Sequence, residues 1–360
     1  MIITISKKRQ PFGGFLMLAQ SANRNMSPSS MPTQTNLNGI DLIKFLCAIL
    51  VFLIHFPPFV DDAAGFSRSA NYILQQGVCR LAVPFYFVCS GFFLFRKMPL
   101  YELNVDIIRE YCYKLFRLFG LWSLLLFLGS TIHLWYLGAT AIAIILLSVC
   151  LSFRLNFKLI WLLAFLLYIV GLSGDSYHGF FAPLTEIPVI AIVHNAYGRL
   201  FGSTRNGVFM GFIFVLMGAS FSQRPVCMKP QKAAIGFIIS LVCLVAESLL
   251  LEHFHIAFEY NMFVFLIPAV YFLFCFAYTV PLKNRSIYKQ LRSIGMFFYF
   301  IHLAVLRVAY LFLNAIGNPI NLGSINPLFV ISFPVTMLIA IMLHWLSGKE
   351  KCKWINWLLA

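Results

Sequence analysis

Two ionisable side chains interrupt one long apolar run: Lys44 and His55, in Gly39-Ile-Asp-Leu-Ile-Lys44-Phe-Leu-Cys-Ala-Ile-Leu-Val-Phe-Leu-Ile-His55-Phe-Pro-Pro-Phe59. Eleven residues at about 100° each make three turns plus roughly 20°, so both side chains share one helix face, about 16 Å apart along the axis. An ammonium and an imidazole are costly in hydrocarbon and are kept where they face a bundle interior or a water-filled cavity. The pair therefore predicts a working site. Histidine suits proton transfer because its ordinary pKa of about 6.5 leaves a neutral, proton-accepting ring at neutral pH. Tyr299 and His302 are three apart in another apolar run and share a face, so they either line the same pore or pin two helices together.

The elements that carry these residues belong to a membrane. Of the 360 residues 61% are hydrophobic and only 11% charged, with 39 Phe, which leaves too little polar side chain to cover a soluble globule. Apolar runs lie near 40 to 60, 78 to 95, 115 to 152, 157 to 173, 206 to 222, 233 to 251, 261 to 280, 294 to 316 and 327 to 347. About 20 residues make one crossing. The run from 115 to 152 is too long for one and splits near Gly129-Ser130-Thr131. The expectation is an all-α integral membrane protein, a bundle of about ten transmembrane helices, with 1 to 37 as a tail, 38 to 348 as the membrane domain and 349 to 360 as a second short tail.

Basic residues collect on the cytoplasmic side of membrane proteins. With both termini cytoplasmic and ten crossings, all of the 27 Lys and Arg fall on inner segments except Arg68, Arg80, Arg199, Arg205 and Arg307. Eight crossings would scramble that division. The net charge of +15 is thus an orientation signal with contact to anionic lipid, and implies no nucleic-acid partner.

The first 37 residues, rich in Ser, Asn, Gln, Pro and Met from Ser21 to Asn38, read as a disordered inner tail or as a start set too early, with Met26 or Met31 as the true one. The nine cysteines show no paired spacing, which argues against a disulfide framework. His253 and His255, with Glu252 and Glu259 near them, are a weak metal candidate, and no metal is expected. The stretch from Gly174 to Arg205 is the one long outer loop and could fold over the outer mouth.

Five motifs in order resemble the membrane-bound acyltransferase family 3. They are the Lys44/His55 span, Arg80-Leu-Ala-Val-Pro-Phe-Tyr-Phe-Val-Cys-Ser-Gly-Phe-Phe-Leu94, His133-Leu-Trp-Tyr-Leu137, Arg205-Asn-Gly-Val-Phe-Met-Gly211 and Tyr299-Phe-Ile-His302. The nearest form resembles the membrane half of the vancomycin-resistance serine racemase without its racemase domain, over roughly residues 38 to 347. The resemblance implies transfer of an acyl group, most often acetyl, from cytoplasmic acyl-CoA to a hydroxyl of a surface or periplasmic glycan or lipid-linked oligosaccharide, in a bacterial inner membrane.

Residues matching the family motifs are Lys44 and His55, Arg80, Lys114 and Arg117, and Arg205 with Asn206. The implied roles are His55 as catalytic base, Lys44, Lys114 and Arg117 as holders of the acyl-CoA phosphates, and Arg80, Arg205, Asn206, Glu247, Tyr299 and His302 toward the acceptor or lining the pore. Glu247 is the candidate carboxylate to orient His55 or neutralise Arg80. Two departures stand out: the family has Arg where this chain has Lys44, which loses the planar bidentate fork, and the stretch between Arg117 and His133 is short. Structural readings compete at each position, with His55 bonding a neighbouring helix or Arg80 anchoring at an interface. Arg307 and His344 read as structural groups. The alternative functions are a transporter with an intramembrane proton relay, and a scaffold subunit of glycan assembly with a degenerate site.

Overall fold

Asparagine and proline punctuate the chain where its helices begin. Asn104, Asn156, Asn206 and Asn326 each turn a side-chain oxygen onto a backbone N–H of the first turn that follows, satisfying donors that have no intrahelical acceptor. Pro230 and Pro327 open two helices at positions where the missing N–H costs nothing. The computed structural model describes residues 37–60, 66–126, 132–187, 202–224, 226–317 and 322–359.

Its principal helices are α1 (Asn38–His55), α2 (Phe66–Phe95), α3 (Val105–Leu125), α4 (Trp135–Ser152), α5 (Phe157–Ser173), α6 (Gly207–Gln223), α7 (Pro230–His253), α8 (Leu266–Thr279), α9 (Ile287–Ala315) and α10 (Pro327–Ser347). Among the described residues there is no strand, only an isolated bridge between Phe59 and Ile325. Each apolar run of the sequence became a helix, and the long run did divide, α3 ending at Leu125 and α4 starting at Trp135.

By length and composition alone, the described helices account for part of the ten expected crossings. Six of these helices (α1, α2, α4, α7, α9 and α10) are long and apolar enough to cross a membrane, and a seventh if α5 is joined to His178–Leu184, from which it is bent by 92°. Helix α3 fails on composition because it starts at Val105, ten residues before the apolar run, and so takes in Asp106, Arg109 and Glu110 besides Lys114 and Arg117. Helices α6 and α8 are apolar but short, α6 because its run is itself only that long and α8 because irregular chain supplies the start of its run. The first span is also shorter than the run from 40 to 60. It stops at His55, since Pro57 and Pro58 offer no N–H and bias the preceding residue away from helix.

Outward-facing side chains are apolar on several helices: Leu162, Phe165 and Ile169 on α5, Ile238, Ile239 and Val242 on α7, and Leu338, Ile341 and Met342 on α10 are all exposed. Such a continuous apolar surface suits lipid rather than water. The centre is built from α2 and α6, which pack backbone to backbone. A side chain at Gly91 would meet the carbonyl of Val215, and one at Gly218 would meet the carbonyl of Val88. In a bilayer, where apolar side chains gain nothing by leaving lipid, close packing through small residues is what holds helices together. Helix α1 packs most extensively against α9 and also touches α2 and α8.

Gly218→Val is expected to reduce the yield of monodisperse, detergent-solubilised protein sharply and to lower its unfolding temperature, because the added carbons strike backbone that cannot yield. Gly120→Ala and Gly138→Ala, where a Cβ meets nothing within 4 Å, serve as neutral controls in the same fluorescence-detected chromatography.

Candidate functional site

Helix α1 presents Lys44 and His55 to the bundle interior, and each lines a cavity. The larger, about 300 Å³, holds Lys44, Lys114 and Arg292 at its polar edge and Tyr86, Tyr111, Tyr136, Tyr299 and Phe93 along its walls. Lys114 and Arg292 are exposed, so this cavity opens at that end of the bundle. The Lys44 ammonium lies 4.7 Å from the centre of the Phe93 ring, within cation–π range. Arg292 reaches Asp41 at 3.5 Å, which ties α9 to the start of α1.

The second cavity, about 60 Å³, is lined by His55, Arg80, His133, Trp135, Arg205, Met210 and Asn261 together with Val51, Ile54, Cys79 and Val83. Tyr299 borders both cavities. Its hydroxyl donates to the carbonyl of His133 at 2.7 Å, so the ring stands as a partition between the two spaces.

The position of His55 is set by the end of its helix. Carbonyls in a last turn lack intrahelical donors, and here the Gln75 side-chain amide donates to Leu53 at 3.2 Å and to Ile54 at 2.8 Å. Gln75 lies in the π-helical turn of α2, Ile73–Gly77, a local widening that precedes Arg80. The His55 ring is 5.5 Å from that of His302, centre to centre. His302 is wholly buried. Its Nδ1 lies 2.6 Å from the carbonyl of Tyr299, and because a carbonyl only accepts, that nitrogen carries the hydrogen. Nε2 of His302 has no hydrogen-bond partner among the described residues. The His133 ring lies 4.8 Å from that of His302, which makes a cluster of three imidazoles.

In the same cavity Arg80 and Arg205 converge on one amide. Arg80 donates to Asn261 Oδ1 at 2.8 Å and also to Gln76, and Arg205 reaches the same Asn261 oxygen at 3.5 Å. The Arg205 guanidinium sits 5.1 Å from the centre of the Trp135 ring. Asn261 is held from behind. Its backbone N–H and side-chain amide donate to Asp175 at 2.7 and 2.9 Å, and the side-chain amide also donates to Glu259 at 2.6 Å. Asp175, fully buried, accepts a third bond from the backbone of Met262 at 3.0 Å.

Several expected residues fall elsewhere. Glu247 is paired with neither His55 nor Arg80: it accepts from the Tyr177 hydroxyl at 2.6 Å and from the backbone N–H groups of Val264 and Phe265 at 2.6 and 2.8 Å, and so pins the loop ahead of α8. Arg117 packs its guanidinium 5.1 Å from the centre of the Trp357 ring and does not line the large cavity beside Lys114. Asn206 is the cap of α6, accepting from Val208 and Phe209, and thereby places Arg205 at the helix entrance. Of the long loop, His194, Asn195 and Arg199 lie outside the described residues, as does the tail before residue 37. Among the described residues no group of His, Cys, Asp or Glu could hold a metal ion, and His253 and His255 form no such group.

Sequence reading missed His133, Asn261, Asp175 and Arg292 as parts of the site. For Arg292 a signal existed. Arg292, Gly295, Met296 and Tyr299 follow the i, i+3, i+4, i+7 spacing of one helix face, and all four line the large cavity. His133 stood in a motif already noted. Asn261 and Asp175 come from irregular segments with no period to expose them.

A family model for the acyltransferase domain matches residues 37–345. The chain belongs to this acyltransferase 3 family, whose members are embedded in membranes. An amino-acid racemase of Enterococcus faecalis is 30% identical over 269 residues, which are 68% of this chain and 36% of that protein. A serine/alanine racemase of Enterococcus gallinarum is 28% identical over 262 residues, 66% of this chain and 36% of the relative. The chain thus spans little more than a third of the length of these relatives, and racemase is their name. No solved structure matches.

Gln75→Ala, which frees two carbonyls at the end of α1, is expected to lower unfolding stability by about 1–2 kcal/mol. Asp175→Ala removes the acceptor of three buried bonds and is expected to cost about 3 kcal/mol or more, read as a larger drop in the unfolding temperature.

Proposed function

We propose that the protein moves an acyl group, acetyl in the simplest case, from acyl-CoA on the cytoplasmic side to a hydroxyl of a glycan or lipid-linked oligosaccharide on the other side of a bacterial cell membrane. One observation carries this reading: the cation-edged cavity at Lys44 and the imidazole cavity at His55 adjoin at a single side chain, Tyr299. A nucleotide cannot enter hydrocarbon, whereas an extended pantetheine arm can run along a tyrosine-walled passage with its phosphates left at the basic mouth. The family supports acyl transfer in general. The charge bias of the sequence, with most Lys and Arg at the Lys44 end of the predicted spans, supports both termini being cytoplasmic.

In this mechanism Lys44 and Lys114 hold phosphate, joined by Arg292, which the sequence alone did not single out. An imidazole nitrogen of His55 takes the proton of the acceptor hydroxyl as its oxygen forms the new C–O bond at the thioester carbon. The C–S bond then breaks, and the imidazolium returns the proton to the departing CoA sulfur. His302, with Nδ1 committed to the Tyr299 carbonyl, stands close enough to orient or relay, and Tyr299 must shift for the arm to pass.

His55→Ala is expected to lower transfer from acetyl-CoA by about 10²–10⁴-fold, while CoA still raises the unfolding temperature of the purified variant. Wild-type rates in His55→Ala would remove the base. Lys44→Met and Arg292→Met are expected to raise the KM for acetyl-CoA with a smaller change in kcat, the pattern of lost binding common to ground and transition states.

A further inference from the structure

The Arg80 and Arg205 guanidinium groups face each other across the oxygen of Asn261 in the same small cavity as His55. Each guanidinium offers five N–H donors in a planar fork. Among the described residues Arg80 finds acceptors only in Asn261 and Gln76, and its Nε is buried without a partner. Arg205 finds only the long bond to Asn261. Among the described residues no carboxylate lies within 4.0 Å of either one. The two nearby acids are turned away: Asp175 is filled by the amides of Asn261 and Met262, and Glu259 accepts from Asn261 and from Ser203. Both side chains are half-buried, and a buried donor without an acceptor, as at Arg80 Nε, is costly unless a ligand completes it.

We infer that Arg80 and Arg205 form a subsite for a carboxylate, so that the acceptor is a hydroxy acid whose carboxylate lies a few bonds from the hydroxyl presented to His55. This rests on the acyl-transfer reading for the role of His55, but the subsite itself does not. A planar carboxylate matches the guanidinium fork two bonds at a time. Asp175 and Glu259 behind Asn261 offset much of the positive field, which favours a singly charged carboxylate over a phosphate dianion. A cavity of about 60 Å³ has room for a carboxylate and its adjoining hydroxyl-bearing carbons, with any larger body left outside. Trp135, stacked on Arg205, holds one face of the fork in place.

The test uses the full chain, purified in nanodiscs at constant ionic strength, and reads the unfolding temperature against added glycerate, glucuronate, glycerol, glucose, chloride and phosphate. The expected result is stabilisation by a carboxylate and none by its neutral counterpart, with glycerate or glucuronate as the stronger ligand distinguishing a small free acid from a sugar acid. Arg205→Gln is expected to weaken that binding at least tenfold. Equal effects of glycerol and glycerate, equal effects of chloride or phosphate, or unchanged carboxylate binding in Arg205→Gln would each overturn the subsite. The wild-type comparison decides even if the variant does not fold. Stabilisation of the same preparation by acetyl-CoA reads the donor separately, so its absence would sink the transfer reaction and leave the carboxylate result standing.

Discussion

Backbone contact between α2 and α6 is the constraint on which the other placements rest. Gly91 lies on the carbonyl of Val215 and Gly218 on that of Val88, so the two helices approach as closely as main chains allow. Arg80 stands on the earlier part of α2, and Arg205 at the entrance to α6. Because the crossing fixes these helices against each other, it also fixes the separation of the two guanidinium groups. Asn261 then spans them, anchored by Asp175 from the turn after α5.

Polar groups in this interior are handled by delegation. Among the described residues neither arginine touches a carboxylate. An amide stands between, taking the acids' negative charge on its donor side and offering a neutral oxygen on the other. Direct ion pairs would quench the arginines at a high desolvation cost. The relay keeps their donors available, and the same economy appears at His302, where one ring nitrogen is committed to backbone and the other has no hydrogen-bond partner among the described residues.

The two cavities divide labour by chemistry. One is wide, walled by tyrosine and phenylalanine and edged with cations, which suits a long arm with a charged head. The other is small and dense in imidazole and guanidinium, which suits a few atoms undergoing a reaction. Tyr299 separates them through one hydrogen bond to His133, a restraint weak enough to release and directional enough to restore.

The amino-acid sequence by itself determined the helical class, the break in the long apolar run and the common interior face of Lys44 and His55, and the family motifs singled out Arg80, Arg205, Tyr299 and His302 without saying which of them meet. These follow from hydropathy, from a period of 3.6 and from motif order, which are local quantities. Which runs become helices long and apolar enough to cross is less legible, because hydropathy does not register where irregular chain replaces helix or where a helix extends into charged sequence, as α3 does at Val105. Tertiary structure alone decided that Glu247 caps a loop, that Arg117 leaves the cavity for Trp357, and that Asn261 and Asp175 belong to the site. Those are contacts between segments far apart in the chain, and one helix's periodicity carries no information about which residue of another will meet it.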